Sequence, residues 1–222
     1  MPKFQHVFFD LDGTLVDHFE TIHRSISYAA EEMNLPVPSY EKVLRTVGGS
    51  VPVTASRLFP GADIPKIVKL FEERFDEIIY DGLYAKPGAC WILEKLHQLG
   101  IRSVVFTNKQ GGRARKVCEH LGMNPWLAGV VGTGDTPYRK PEKAFSEHVL
   151  KHFGANHEQS CIVGDSPFDE AAAHVVAMPC ILVSTGSHDT ETLRRETRSD
   201  VFESLYDLGK VVFELDVPAE IA

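Results

Sequence analysis

Five short apolar runs, continuous rather than alternating, punctuate this chain and leave few folds open to it. They are Val7-Phe8-Phe9, Ser103-Val104-Val105-Phe106, Gly129-Val130-Val131-Gly132, Cys161-Ile162-Val163-Gly164 and Cys180-Ile181-Leu182-Val183. A continuous apolar run suits a strand covered on both faces, as in a parallel sheet. Helical spacings fill the intervals. Trp91, Leu93, Leu96 and Leu99 stop at Gly100, Val117 and Leu121 stop at Gly122, and Phe145, Val149 and Phe153 stop at Gly154. Each of these glycines stands where a helix ends on a left-handed residue. Strand–helix alternation predicts an α/β chain built on a doubly wound parallel sheet.

One interval breaks the rhythm. From His18 to Tyr84 the pattern is almost wholly helical. Ile22, Ile26, Ala29, Ala30 and Met33 form one stripe, and Ile67, Leu70, Phe71, Phe75, Ile78 and Ile79 another. Pro36, Pro38, Pro52, Pro60 and Pro65 separate the pieces. A stretch of about 70 residues is too long for a loop in a compact sheet. The expected organisation is a helical domain at 17–84 inserted into a core made of 1–16 and 85–222. Its tethers would be Val16-Asp17 and Ala85-Lys86-Pro87-Gly88.

Composition narrows the function classes. Of 222 residues, 43% are hydrophobic and 24% charged, as in soluble globular proteins and unlike disordered or fibrous ones. No apolar run approaches the roughly 20 residues that span a bilayer. Met1-Pro2-Lys3-Phe4-Gln5-His6 passes into the first strand with no signal-peptide pattern, so a cytoplasmic protein without a membrane partner is expected. A net charge of −8 disfavours nucleic acid as a partner. Cys90, Cys118, Cys161 and Cys180 form no CxxC pair and are expected to be reduced, buried thiols. His148 and His152 have a spacing that can bind zinc on a helix. With no third ligand and no HExxH pattern, a solvated helix face is expected there.

Ligands of open α/β sheets bind beyond the carboxyl ends of the strands. Asp10 and Asp12 follow the first run, and Thr107-Asn108-Lys109 follow the second. Lys140-Pro141 comes after the third, and Gly164-Asp165-Ser166 with Asp169 close the fourth. Four carboxylates at one edge repel one another, by about 4 kcal/mol per pair at 4 Å and an effective dielectric of about 20. Such a cluster is tolerable if some groups are protonated or a cation lies among them, and an all-oxygen set favours Mg²⁺. Thr107, Asn108 and Lys140 supply a hydroxyl, an amide and an ammonium, suited to phosphate oxygens. Carboxylates, metal and phosphate cradle together point to phosphoryl transfer.

The motifs resemble a known set. Asp10-Leu11-Asp12-Gly13-Thr14-Leu15, Thr107-Asn108, Lys140-Pro141 and Gly164-Asp165-Ser166-Pro167-Phe168-Asp169 resemble, in order, the four motifs of the haloacid dehalogenase superfamily. The resemblance spans essentially the whole chain and is greatest to the phosphoglycolate-phosphatase-like branch, whose helical cap domain follows the first motif. It implies a Rossmann-like core and a Mg²⁺-dependent phosphatase acting on a small phosphorylated metabolite through an aspartyl-phosphate. By that resemblance Asp10 is the nucleophile and Asp12 the general acid, then the base. Thr107, Asn108 and Lys140 bind the phosphoryl group. Mg²⁺ is held by Asp10, the Asp12 carbonyl and Asp165, with Asp169 in support.

Several positions keep two readings. Asp169 supports the metal or only caps a helix. Lys109 reaches substrate or is a solvated lysine, the second being preferred. His18 lines the substrate entrance or is a cap residue, and Gly48-Gly49 form a substrate-specificity loop or a plain one. Lys143 and Met178 stand where relatives commonly carry proline and glycine. The rival activities are 2-haloacid dehalogenation, which needs no leaving-group acid, phosphomutase action, and a phospho-Asp switch. A monomer or homodimer is expected.

Overall fold

A computed structural model describes residues 3–219; Met1, Pro2 and residues 220–222, which belong to the expected core segments 1–16 and 85–222, lie outside them. Six strands form one parallel sheet: β1 (His6–Phe9), β4 (Arg102–Gln110), β5 (Leu127–Thr133), β6 (Ser160–Gly164), β7 (Cys180–Val183) and β8 (Asp200–Phe202). Their order is β5-β4-β1-β6-β7-β8, and every pairing is parallel. The chain winds one way from β1 through β4 to β5 and then returns to lay β6 on the other side of β1. The strand order therefore reverses at β1/β6, which opens the crevice where such sheets place their ligands.

The continuous apolar runs are explained by cover on both sides. Val7 and Phe9 enter one core with Val105 and Val163, beneath α5 (Ala89–Gln98), α6 (Gly111–His120) and α10 (Leu205–Phe213). Phe8 enters the other with Val104, Phe106 and Ile162, beneath α7 (Lys143–Phe153) and α8 (Pro167–His174). Side chains alternate between faces along a strand, so two buried faces demand apolar residues at every position. Gly100, Gly122 and Gly154 all have positive φ (72°, 68° and 63°) at the helix ends where they were expected. A last helix, α9 (Thr190–Glu196), lies between β7 and β8.

The long interval holds α1 (Phe19–Glu32), α2 (Tyr40–Leu44), α3 (Val51–Leu58) and α4 (Ile64–Glu77). The two stripes become facing helix surfaces: Ile22, Ile26, Ala29 and Ala30 of α1, and Ile67, Phe71 and Phe75 of α4, are buried. Prolines stand in the first turns of α3 and α4, where their missing N–H costs nothing. Entry and exit are fastened by a two-stranded antiparallel ladder, β2 (Val16–Asp17) with β3 (Tyr84–Ala85). Across it Lys86 Nζ donates to Asp17 Oδ2 at 2.5 Å. No helix among the described residues is long and apolar enough to cross a membrane.

Candidate active site

Every candidate core residue sits at the carboxyl edge of the sheet. Asp10 leaves β1 with its N–H donating to the Val163 carbonyl of β6 (2.8 Å), which locks it at the switch point. The chain then turns on Leu11, whose carbonyl accepts from the N–H groups of Thr14, Leu15 and Val16. Gly13 makes this turn possible: its φ is +92°, and a Cβ there would lie 2.6 Å from Asp165 Oδ2. A larger residue would push the first motif off the fourth.

Three carboxylates, Asp10, Asp165 and Asp169, are buried, and each offers one oxygen within 4.8 Å of the others. Lys140, 3% exposed, is wedged beside them, its Nζ donating to Asp10 Oδ1 at 2.8 Å and Asp169 Oδ1 at 2.6 Å. Burial alone would push its ammonium down; Asp10 and Asp169 outweigh that and hold it well above the ordinary lysine range. Burial raises the Asp10 carboxyl to about 6, against the pull of Lys140. Burial, then Asp169 and Asp10, raises Asp165 to about 8. Unequal environments thus separate carboxylates that look equivalent in sequence.

Asp12 stands apart from the trio. Its carboxylate accepts from Lys109 Nζ at 3.1 and 3.0 Å and opens onto a cleft beneath α1 and α4. The preferred solvated reading of Lys109 does not hold. Its side chain is 7% exposed, and its ammonium lies 4.6 Å from the centre of the Phe75 ring. Thr107 is buried, and its Oγ1 accepts the Lys109 N–H at 3.2 Å.

Asn108 was expected to hold phosphate through its amide, but the carboxamide is committed elsewhere. Oδ1 accepts the Lys140 N–H at 2.8 Å, while Nδ2 donates to the carbonyls of Lys140 (3.1 Å) and Gly48 (3.0 Å). Gly48 is thereby tied to the sheet edge. Asp169 fulfils its capping reading: Oδ2 accepts from the N–H groups of Asp165 and Ser166 and from Ser166 Oγ, forming a capping box at α8. It also offers an oxygen to the carboxylate trio.

His18 does not line the entrance. It is fully buried, with Nε2 on the Ile79 carbonyl at 2.7 Å and Nδ1 3.7 Å from Asp12 Oδ1. Burial lowers its imidazole to about 4, which keeps it neutral. His148 and His152 stack their rings 5.9 Å apart on an exposed face of α7. Among the described residues the carboxylate trio is the one group with metal-ligand spacing.

Two parts of the site escaped the sequence reading. The turn after β7 brings Ser187 to Asp165, its N–H (2.8 Å) and Oγ (3.0 Å) both donating to Oδ2. Ser184-Thr185-Gly186-Ser187 follows the fifth apolar run, so the strand-end rule used for the other four would have found it. Arg113 of α6 donates to Asp76 at 2.7 and 2.8 Å and to Glu72 at 2.8 Å, joining the sheet domain to α4. Nothing in sequence spacing announces that contact.

A buried carboxylate cluster at the switch point of a doubly wound sheet, with a helical insert over the same edge, defines a class of α/β hydrolase. Residues 7–183 match the family model described as haloacid dehalogenase-like hydrolase, and the chain belongs to that family. It is 30% identical to phosphoglycolate phosphatase of Chromobacterium violaceum over 212 residues, 92% of this chain and 96% of that one. It is also 30% identical to phosphoglycolate phosphatase of Rhodospirillum rubrum over 220 residues, 94% and 90% of the two chains. A haloacid dehalogenase-like hydrolase from Streptococcus pneumoniae shares the fold with a TM-score of 0.84 at 20% identity, over 94% of this chain and 98% of that one. The protein is accordingly an enzyme of the phosphoglycolate-phosphatase-like branch, whose named relatives are phosphatases.

Proposed function

We propose that this chain hydrolyses a small phosphorylated metabolite through an aspartyl-phosphate on Asp10, with Mg²⁺ at the carboxylate trio and residues 17–84 acting as a cap. The observation that carries the reading is the asymmetric treatment of Asp10. Lys140 occupies Oδ1, whereas Oδ2 accepts no hydrogen bond among the described residues. One oxygen is restrained and the other is available to attack phosphorus.

The donor set fits a hard divalent cation. It is all oxygen, and four carboxyl groups (Asp10, Asp12, Asp165, Asp169) face two ammoniums (Lys109, Lys140), so a cation that displaces the protons of Asp10 and Asp165 meets an excess of two negative charges. Asp10 and Asp165 would hold the ion, with Asp169 behind them. Mg²⁺ would neutralise charge on the phosphoryl oxygens and orient the group for in-line displacement.

The chain's own residues then divide the work. Asp10 Oδ2 forms the new P–O bond as the bond to the leaving alcohol breaks, and Asp12 gives that oxygen its proton. In the second half Asp12 takes a proton from water, which attacks phosphorus and releases Asp10. Lys109 fixes the direction of the Asp12 carboxylate. Lys140 and the Thr107 hydroxyl face the transferring group, where preorganised charge contributes most. Dehalogenation leaves Asp12 without a task, because a halide departs unprotonated.

The test is p-nitrophenyl phosphate turnover with Mg²⁺. Activity lost in EDTA and in Asp10→Asn, with acid-stable, hydroxylamine-labile phosphate on the wild type, supports the reading. Turnover surviving in Asp10→Asn removes it.

A further inference from the structure

Resting on the reading that Asp165 holds the cation, we infer that Ser187 and His188, in the turn after β7, are positioning residues for it. They pin one oxygen of Asp165 so that the other is presented to the ion. Ser187 donates to Asp165 Oδ2 twice, through its N–H at 2.8 Å and its Oγ at 3.0 Å. Oδ1 accepts no hydrogen bond among the described residues and is the oxygen left for a metal. A carboxylate fastened at one oxygen cannot swing, and outer partners of this kind orient metal ligands.

The Ser187 hydroxyl has one proton and two neighbours, because His188 Nδ1 lies 2.8 Å from the same Oγ. Asp165, as a carboxylate ligand, only accepts. Were the serine proton given to Nδ1, Oγ and Oδ2 would face each other at 3.0 Å with no proton between them. Ser187 and Asp165 are both buried, so an unpaired contact there is costly. The arrangement that pairs every atom runs in one direction: His188 Nδ1–H donates to Ser187 Oγ, and the Oγ proton goes to Asp165 Oδ2. His188 thereby decides where the serine proton points.

The turn is itself well anchored. The Ser184 N–H donates to the Phe202 carbonyl of β8 at 2.9 Å, and Thr190 Oγ1 donates to Ser184 Oγ at 2.8 Å. Thr185 Oγ1 donates to the Gly13 carbonyl at 2.8 Å, so the same turn also holds the first motif. Gly186 allows the close approach, since a Cβ there would overlap Asp165 Oδ2.

The experiment uses Mn²⁺, which favours octahedral oxygen sites as Mg²⁺ does. It is titrated into the metal-free full chain without substrate, and binding is read from loss of the free-ion EPR signal. We expect Ser187→Ala to raise the Mn²⁺ Kd about tenfold. His188→Leu should raise it several-fold. His188→Asn, whose amide carries an N–H close to the Nδ1 position, should bring it back to within about twofold of wild type. That rescue separates a proton-directing role from mere packing. A Ser187→Ala Kd within about twofold of wild type, or His188→Asn as weak as His188→Leu, overturns the inference and leaves the metal reading standing. No saturable Mn²⁺ binding by the wild type overturns both.

Discussion

Asn108 grips the peptide of Lys140 from both sides, accepting its N–H at 2.8 Å and donating to its carbonyl at 3.1 Å. The lysine whose ammonium donates to Asp10 and Asp169 is thus positioned through its backbone. Removing the carboxamide in Asn108→Ala strands a buried N–H and a buried carbonyl, at about 1–3 kcal/mol each. We expect kcat to fall about tenfold to a hundredfold with a lower melting temperature. Phosphate release and thermal denaturation measured together check this; kcat within twofold of wild type would mean that Lys140 is positioned by something else.

Asp12 is separated from the trio and open to the cleft, so its loss should split the two half-reactions. With p-nitrophenyl phosphate the leaving phenolate departs without a proton. Asp12→Asn should therefore still phosphorylate Asp10 and then stall, because no base activates water. Rapid mixing should show a burst of about one p-nitrophenol per enzyme, followed by turnover reduced about 10²–10⁴-fold. Steady turnover without a burst would assign the general base elsewhere.

How much of this was written in the sequence depended on range. The five apolar runs announced β1, β4, β5, β6 and β7: β1 and β6 are buried throughout, and even β5, partly exposed at the sheet edge, keeps Val131 and Gly132 buried. β8 was missed: Asp200-Val201-Phe202 is three residues on the sheet edge, half exposed, and too short for a pattern. The first-motif turn and the helix-ending glycines are local and were legible. Contacts made across the fold were not. Lys109 reads as a surface lysine until Asp12, 97 residues away, and the Phe75 ring are seen around it. Asn108 reads as a phosphate ligand because no spacing reveals that Lys140 and Gly48 already use its amide. His18 lies close to the first motif in sequence, yet the helical insert folds over it and removes it from the surface.

Arg113 bridges α6 to α4 beside the cleft, and it holds the Asp76 carboxyl below the usual range by direct hydrogen bonding. Glu72 and Asp76 are 41% and 48% exposed, so solvent screens these bonds and their joint value is about 1 kcal/mol. Arg113→Ala should open the cleft more often without touching the reacting groups. The expected result is a KM raised about fivefold with kcat nearly unchanged, and a wild-type KM that climbs with salt while the variant's does not. A fall in kcat at constant KM would place Arg113 in the chemistry instead.

The carboxylates also set how stability depends on pH and metal. Asp165 is raised to about 8 and Asp10 to about 6, both by burial first. Their ordinary value is 3.8, so between about pH 4 and pH 8 the folded chain holds more protons than the unfolded one. Stability of the metal-free protein must then fall as pH rises through that window. A divalent cation replaces those protons, so its benefit grows as they leave. Melting temperatures in EDTA and in saturating Mg²⁺ should nearly coincide at pH 5 and separate by several degrees at pH 8. The Asp165→Asn variant should lose most of that separation, because the group with the highest titration point is gone. A Mg²⁺ effect equal at both pH values, or intact in Asp165→Asn, would locate the ion away from the switch-point cluster.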